Sequence, residues 1–119
     1  MSFHARLLAD TAAARQGFLS TPIIQGVLQR GEVALPSYLA FLTEAYHHVR
    51  HTVPLLQACK AALPARHAAW LDEALDEYVE EERGHDEWIL DDIAACGGDA
   101  EAVRHGRPSA ATEIMVAYA

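Results

Sequence analysis

The stretch Phe41-Leu42-Thr43-Glu44-Ala45-Tyr46-His47-His48-Val49-Arg50-His51-Thr52-Val53-Pro54-Leu55-Leu56 decides the fold class. Apolar residues recur in and around it as Leu39, Leu42, Tyr46, Val49, Val53 and Leu56, the three-and-four spacing of one helix face. Leu35-Pro36-Ser37 supplies a start, and the pattern runs towards Leu63-Pro64 with a kink predicted at Pro54, which has no N–H to donate. On the same helix Glu44, His47 and His51 fall within about 60° of one another at 100° per residue, and His48 flanks them.

Outward from this stretch the chain keeps reading as helix. It has no alternating run of β-branched residues and no Asn-Gly or Asp-Gly turn, while Ala, Leu, Glu and Arg dominate. A first helix is predicted from about Phe3 to Phe18. Ser20-Thr21-Pro22 then caps a short second one that Arg30-Gly31 closes. After Pro64 the longest helical pattern runs from about Ala65 to Cys96, stopped by Gly97-Gly98, and Pro108-Ser109 opens a last helix from Ala111 to Ala119. The expectation is an all-α bundle of about five helices in a single domain, 1–119. Thr112 to Ala119 has no polar last turn and reads as the middle of a buried helix. The chain is therefore expected either to be the N-terminal part of a longer domain or to complete its core with a second copy, as a homodimer.

Composition narrows the function classes. Nine Lys and Arg stand against 17 Asp and Glu, a net charge of −8, with Lys60 the sole lysine. Nucleic acid and anionic membrane surfaces, which are met through clustered cations, are poor partners for such a chain. No run approaches the roughly 18 apolar residues of a membrane span, and Met1 to Arg15 carries no export signal, so the cytoplasm is the expected compartment. Cys59 and Cys96 make neither a disulfide framework nor a cysteine zinc site and are read as free thiols.

Two segments carry Glu-x-x-His: Glu44 with His47, and Glu82 with His85. A carboxylate and an imidazole three residues apart share a helix face and can bind one metal ion. If the helices on either side of Leu63-Pro64 form an antiparallel hairpin, Glu44 and Glu82 stand about equally far from its turn and the two sets meet at one level. A mixed oxygen and nitrogen donor set of that kind suits iron or manganese better than zinc. Glu82 falls at the centre of the apolar stripe Leu71, Leu75, Tyr78, Ile89, Ile93 and Cys96, so it is expected to be buried and to need a metal, a cation or a proton. Glu44, His47 and His51 point away from the Leu39 side, as surface residues do. Ala40, Phe41, Leu55 and Ala58 border them, however, as they would on a helix central to its bundle. His4, His67 and His105 read as solvated. Trp70 and Trp88 read as packing or interface residues, and the acids from Asp72 to Asp92 mostly as a solvated face.

The block quoted above, together with Glu80-Glu81-Glu82-Arg83-Gly84-His85-Asp86-Glu87-Trp88-Ile89-Leu90, resembles the haem-oxygenase-like superfamily. Within it the likeness is to the iron-containing redox enzymes labelled TenA-like or PqqC-like. The resemblance implies a helical bundle with a non-haem iron centre, in some members di-iron, that uses dioxygen to oxidise a small organic molecule. Carried onto this chain, Glu44 matches the first carboxylate ligand, His51 the histidine of one branch and His47 that of another, while Glu82 and His85 match the second block. Members continue into further helices that bring another glutamate and a His-x-x-x-Asp-x-x-His set, which this chain does not contain. Two other readings follow from the same residues. One is a metal-free, thiaminase-like or PqqC-like enzyme of the same fold, disfavoured by His47 and His51; the other is a non-enzymatic helical dimerisation module. A haem site would have only His4 available near the N-terminus.

Overall fold

The computed structural model describes residues 1–64 and 69–119, and among the described residues the chain is all helix with no strand. The expected helix start at Ala65 and the histidine at 67 lie outside the described residues. The elements are α1 (Phe3–Asp10), α2 (Ala12–Leu19), α3 (Pro22–Arg30), α4 (Leu35–Val49), α5 (Thr52–Ala62), α6 (Ala69–Glu82), α7 (His85–Ala95), α8 (Ala100–His105) and α9 (Ala110–Tyr118). They fall into two compact units: α1 to α3 in residues Met1–Ala34, and α4 to α9 in Leu35–Ala119.

Each of the three long helices expected from periodicity is broken, and each break has a local cause. The first divides at Thr11, whose hydroxyl donates to the Leu7 carbonyl at 2.7 Å and competes with the helical ladder. The second divides at Arg50-His51, one turn before Pro54. A proline cannot donate to the carbonyl four residues back, and its ring crowds that carbonyl, here the one on Arg50. The third divides at Arg83-Gly84, where Gly84 has φ +84°, a left-handed backbone conformation that other residues adopt only with strain.

Expected starts and stops hold at Pro22, which opens α3; α8, which the sequence reading did not anticipate, is capped by Asp99 accepting from the Ala102 amide at 2.9 Å. At the end of α7 the Gly98 amide donates to the Ile93 carbonyl at 2.8 Å and Gly97 takes φ +80°, the geometry of a Schellman stop. A Cβ on Gly98 would lie 2.7 Å from the Ile93 Cγ2 and 3.1 Å from the Leu39 Cδ2, so the glycine also permits close packing of this turn against α4.

The core of the second unit is Leu42 and Tyr46 from α4 with Leu90 and Ile93 from α7, ringed by Tyr38, Leu39, Ile89, Ala100 and Val103. α5 packs on α6, where Lys60 meets Asp76 at 2.5 Å. Arg104 of α8 grips Glu87 of α7 with two bonds of 2.7 Å, the fork geometry that fits a carboxylate. α9 packs on α4, and of its residues only Thr112 is buried; Ile114, Met115 and Tyr118 are exposed. The sequence expectation for this segment was a helix buried by further chain or by a second copy; within the single chain it lies along one edge of α4 with its apolar residues exposed. Both cysteines are free thiols, and no helix among the described residues is long and apolar enough to cross a membrane.

Candidate metal centre

Glu44 and His47 lie on adjacent turns of α4, and the packing of that helix treats them differently. His47 is 4% exposed, its ring edge-on to Tyr46 with centroids 5.3 Å apart. Among the described residues its ring nitrogens make no hydrogen bond, and since no buried polar side-chain atom there is left without a partner, they reach solvent. Burial holds its pKa below the ordinary imidazole value, against the pull of the nearby Glu44 carboxylate, so the ring is kept neutral, the form that ligates metals.

Glu44 is half-buried and reaches the start of α9. Its Oε2 accepts from the Ser109 hydroxyl at 2.9 Å, from the Ser109 amide at 3.1 Å and from the Thr112 hydroxyl. Its Oε1 has a single, longer bond at 3.2 Å from the same Ser109 amide. Hydrogen bonds to the charged form, that of Thr112 foremost, hold the carboxylate below its ordinary pKa despite some desolvation. Ser109 is the N-cap of α9 and Thr112 sits three residues on, where a capping box would place its own Glu or Gln to accept from the N-cap amide. Here Glu44 performs that role from another helix.

His51 stands at the N-cap position of α5, in the break after α4, without a side-chain capping bond, and lies near enough for its charge to lower the pKa of His47. His48 turns its Nδ1 to the backbone carbonyl of Glu44 at 3.1 Å.

Glu82 and His85 form a second, separate pair across the Gly84 turn. The imidazole Nδ1 lies 3.1 Å from the Glu82 Oε2, and the ring is tilted against Trp88 with centroids 4.7 Å apart. The pair opens on a recess of about 330 Å³ lined by Val49, Glu82, His85, Trp88, Ile89 and Asp92. Glu82 keeps 22% of its side chain exposed, so its burial is partial rather than complete, and the group beside its carboxylate is the His85 imidazole.

The two Glu-x-x-His sets do not converge. Counting residues back from Leu63-Pro64 treats each arm of the hairpin as one straight helix, but each arm is broken. Glu82 and His85 share their recess with Val49, about 7.5 Å along α4 from Glu44 at 1.5 Å per residue. Among the described residues no group of three or more His, Cys, Asp or Glu side chains is placed to hold a metal.

A family model described as iron-containing redox enzyme matches residues 39–119. The chain belongs to the iron-containing redox enzyme family. The match covers α4 from Leu39 onward and the whole of α5 to α9, and both Glu/His pairs lie inside it. It begins beyond α1 to α3, so the unit those helices form lies outside the matched region. No curated protein and no solved structure matched the chain. The donors at Glu44 and His47 fit the family's metal in kind: a carboxylate with one lightly engaged oxygen and a neutral imidazole with unengaged nitrogens form a mixed set suited to iron. In number they make part of a coordination sphere. Ser109 and Thr112 were not singled out from the sequence. The Pro108-Ser109 helix start was legible, but the carboxylate it meets lies 65 residues earlier.

Proposed function

We propose that this chain is an iron-dependent redox protein acting with dioxygen on a small organic molecule, and that Glu44 and His47 are its contribution to the metal's donor set. The observation that carries the reading is the pair itself inside the family match: a His47 imidazole that burial keeps neutral, one turn along α4 from a carboxylate pinned in place. Iron bound there would supply the one-electron chemistry with dioxygen that amino-acid side chains lack. The protein's own part is to hold the carboxylate by its Oε2 and to keep the imidazole deprotonated.

Within this proposal His47 rather than His51 is the histidine ligand, and Glu82 and His85 stand apart from the first metal. Manganese has the same ligand preferences and is the alternative ion. Two donors fall short of a full set, and Phe41, Ile114 and Met115 present exposed apolar surface on the two helices that bring Glu44 and Ser109 together. Both features support a self-associated state in which further donors come from another copy.

The test is anaerobic titration with Fe(II) of the wild type and of Glu44→Ala, His47→Ala, Glu82→Ala and His85→Ala, followed by exposure to oxygen. The proposal expects binding that the first two substitutions abolish and the last two preserve. Binding lost equally in the Glu82 and His85 variants, or absent from the wild type, would overturn it.

A further inference from the structure

The helix packings of the second unit fall into two sets. α4 packs on α7, α8 and α9, and α7 packs on α8, while α5 packs on α6. The core, Leu42, Tyr46, Leu90 and Ile93 with its ring of partly buried neighbours, is built from α4, α7 and α8. The α5–α6 pair holds together through its own packing and the Lys60–Asp76 ion pair, with Leu75 and Val79 of α6 buried. The chain crosses between the two sets twice, and each crossing is a helix break: Arg50-His51 between α4 and α5, and Arg83-Gly84 between α6 and α7. One recess of about 280 Å³ adjoins both breaks, lined by Arg50, Val53 and Pro54 from the first and Glu82, Arg83 and Gly84 from the second. At the first break the His51 amide donates to the carbonyl of His48, three residues back rather than four, at 3.0 Å; at the second Gly84 takes φ +84°.

We propose that α5–α6 is an arm hinged at these two breaks and latched by the contact of Glu82 with His85. Hinge motion uses a few residues at element ends that absorb the change in φ and ψ while the packed pieces on either side move as bodies. Two breaks beside one recess supply such an axis, whereas a kink in one strand of the hairpin alone would be held by its unbroken neighbour. Glu82 is the last residue of α6 and His85 the first of α7, so their 3.1 Å contact spans the second break. His85 is seated on the core side, against Trp88. Glu82 is also the residue that the arm contributes to the recess of about 330 Å³, whose other lining residues, Val49, His85, Trp88, Ile89 and Asp92, belong to α4 and α7. Swinging the arm away from α7 withdraws the Glu82 carboxylate and opens that recess, so the latch sets whether a small molecule entering it meets Glu82 and His85 together or His85 alone. A partly exposed contact of this kind is weak enough to open and close at ambient temperature. No metal enters the proposal, so it stands or falls apart from the iron reading.

The chain's own free cysteines stand on either side of the hinge, Cys59 on α5 and Cys96 at the end of α7. Spin labels on the two report the arm's position as a distance distribution by pulsed electron resonance, in full-length protein diluted with unlabelled chain so that distances between copies drop out. A control pair, Cys96 with Ala40→Cys in a Cys59→Ser background, lies wholly on the α4–α7 side. The expected result is that His85→Ala and Glu82→Ala each widen or shift the Cys59–Cys96 distribution and leave the control distribution as it is in the wild type. Pro54→Ala, which gives the Arg50 carbonyl a donor again, is expected to narrow the cross-hinge distribution. A Cys59–Cys96 distribution unchanged in both latch variants would overturn the proposal. So would equal widening of the control pair, which would mean that the whole unit loosens rather than that an arm swings. If His85→Ala does not fold, Glu82→Ala and the milder His85→Gln decide by the same comparison.

Discussion

Glu82 and His85 face each other across a turn rather than along a helix, the imidazole Nδ1 3.1 Å from the carboxylate Oε2, because Gly84 between them has φ +84°. Three residues apart in an unbroken helix they would share a face; here the helix is interrupted between them and the pair bridges the break. This arrangement separates the pair from the Glu44 centre and ties its geometry to a single glycine.

Gly84→Ala is accordingly expected to destabilise the protein by about 1–2 kcal/mol, the cost of a left-handed conformation for a residue with a Cβ. Nothing lies within 4 Å of the added Cβ, so sterics beyond the backbone contribute little. Urea denaturation measures the loss; an unchanged midpoint would show that the turn relaxes freely into helix.

Ile93 is 1% exposed and packs against Leu42, Tyr46 and Leu90 where α4 meets α7. Ile93→Ala removes buried methyl groups from a small core and is expected to cost about 2–5 kcal/mol, with Ile93→Val costing about 0.5–1.5 kcal/mol. Equilibrium unfolding of the two variants checks the ratio as well as the size. Equal, small losses would mean that this interface is not the centre of the core.

Stability should fall with acid in two steps. Burial keeps the folded His47 below its ordinary pKa, so on acidification the unfolded chain takes up a proton before the folded one does. That contribution is intact above about 6.5 and lost progressively below it. The Thr112 and Ser109 hydrogen bonds depress Glu44 below its ordinary value, so its contribution is intact above about 4.3 and lost below it. Thermal melts of metal-free protein from neutral pH downwards should show both, and His47→Phe should remove the upper step alone. An upper step that survives in His47→Phe would assign it to another histidine.

The fold class was legible because helical periodicity, proline starts and glycine stops are local: Pro22, Pro108-Ser109 and Gly97-Gly98 act where the sequence places them. The breaks were legible in part. Pro54 announces a kink, but the chain divides one turn earlier, at the carbonyl the proline leaves without a donor. Gly84 sits inside a strong helical pattern where a glycine is ordinarily tolerated, so nothing local distinguishes it. The error then propagates: a helical wheel drawn through Gly84 buries Glu82 more deeply than the structure does and aligns it with Glu44. The Glu44 clamp was not legible at all, since it depends on where α9 docks, and no pattern within either helix encodes that distance.

Self-association is expected in solution, since Phe41, Trp70, Trp88 and Ile114 are each more than 60% exposed on the second unit. Sedimentation velocity at micromolar concentration should show a species heavier than 13.0 kDa. A single monomeric species would remove the second copy as the source of further metal donors.

The most direct test of the central claim is the iron content per chain of protein expressed with added iron and purified without chelator or histidine tag, measured by elemental analysis beside Glu44→Ala and His47→Ala. The account predicts iron in the wild type, between one per chain and one per pair of chains, and none above background in either variant. A wild type free of transition metal, or variants that retain the same iron, would contradict it.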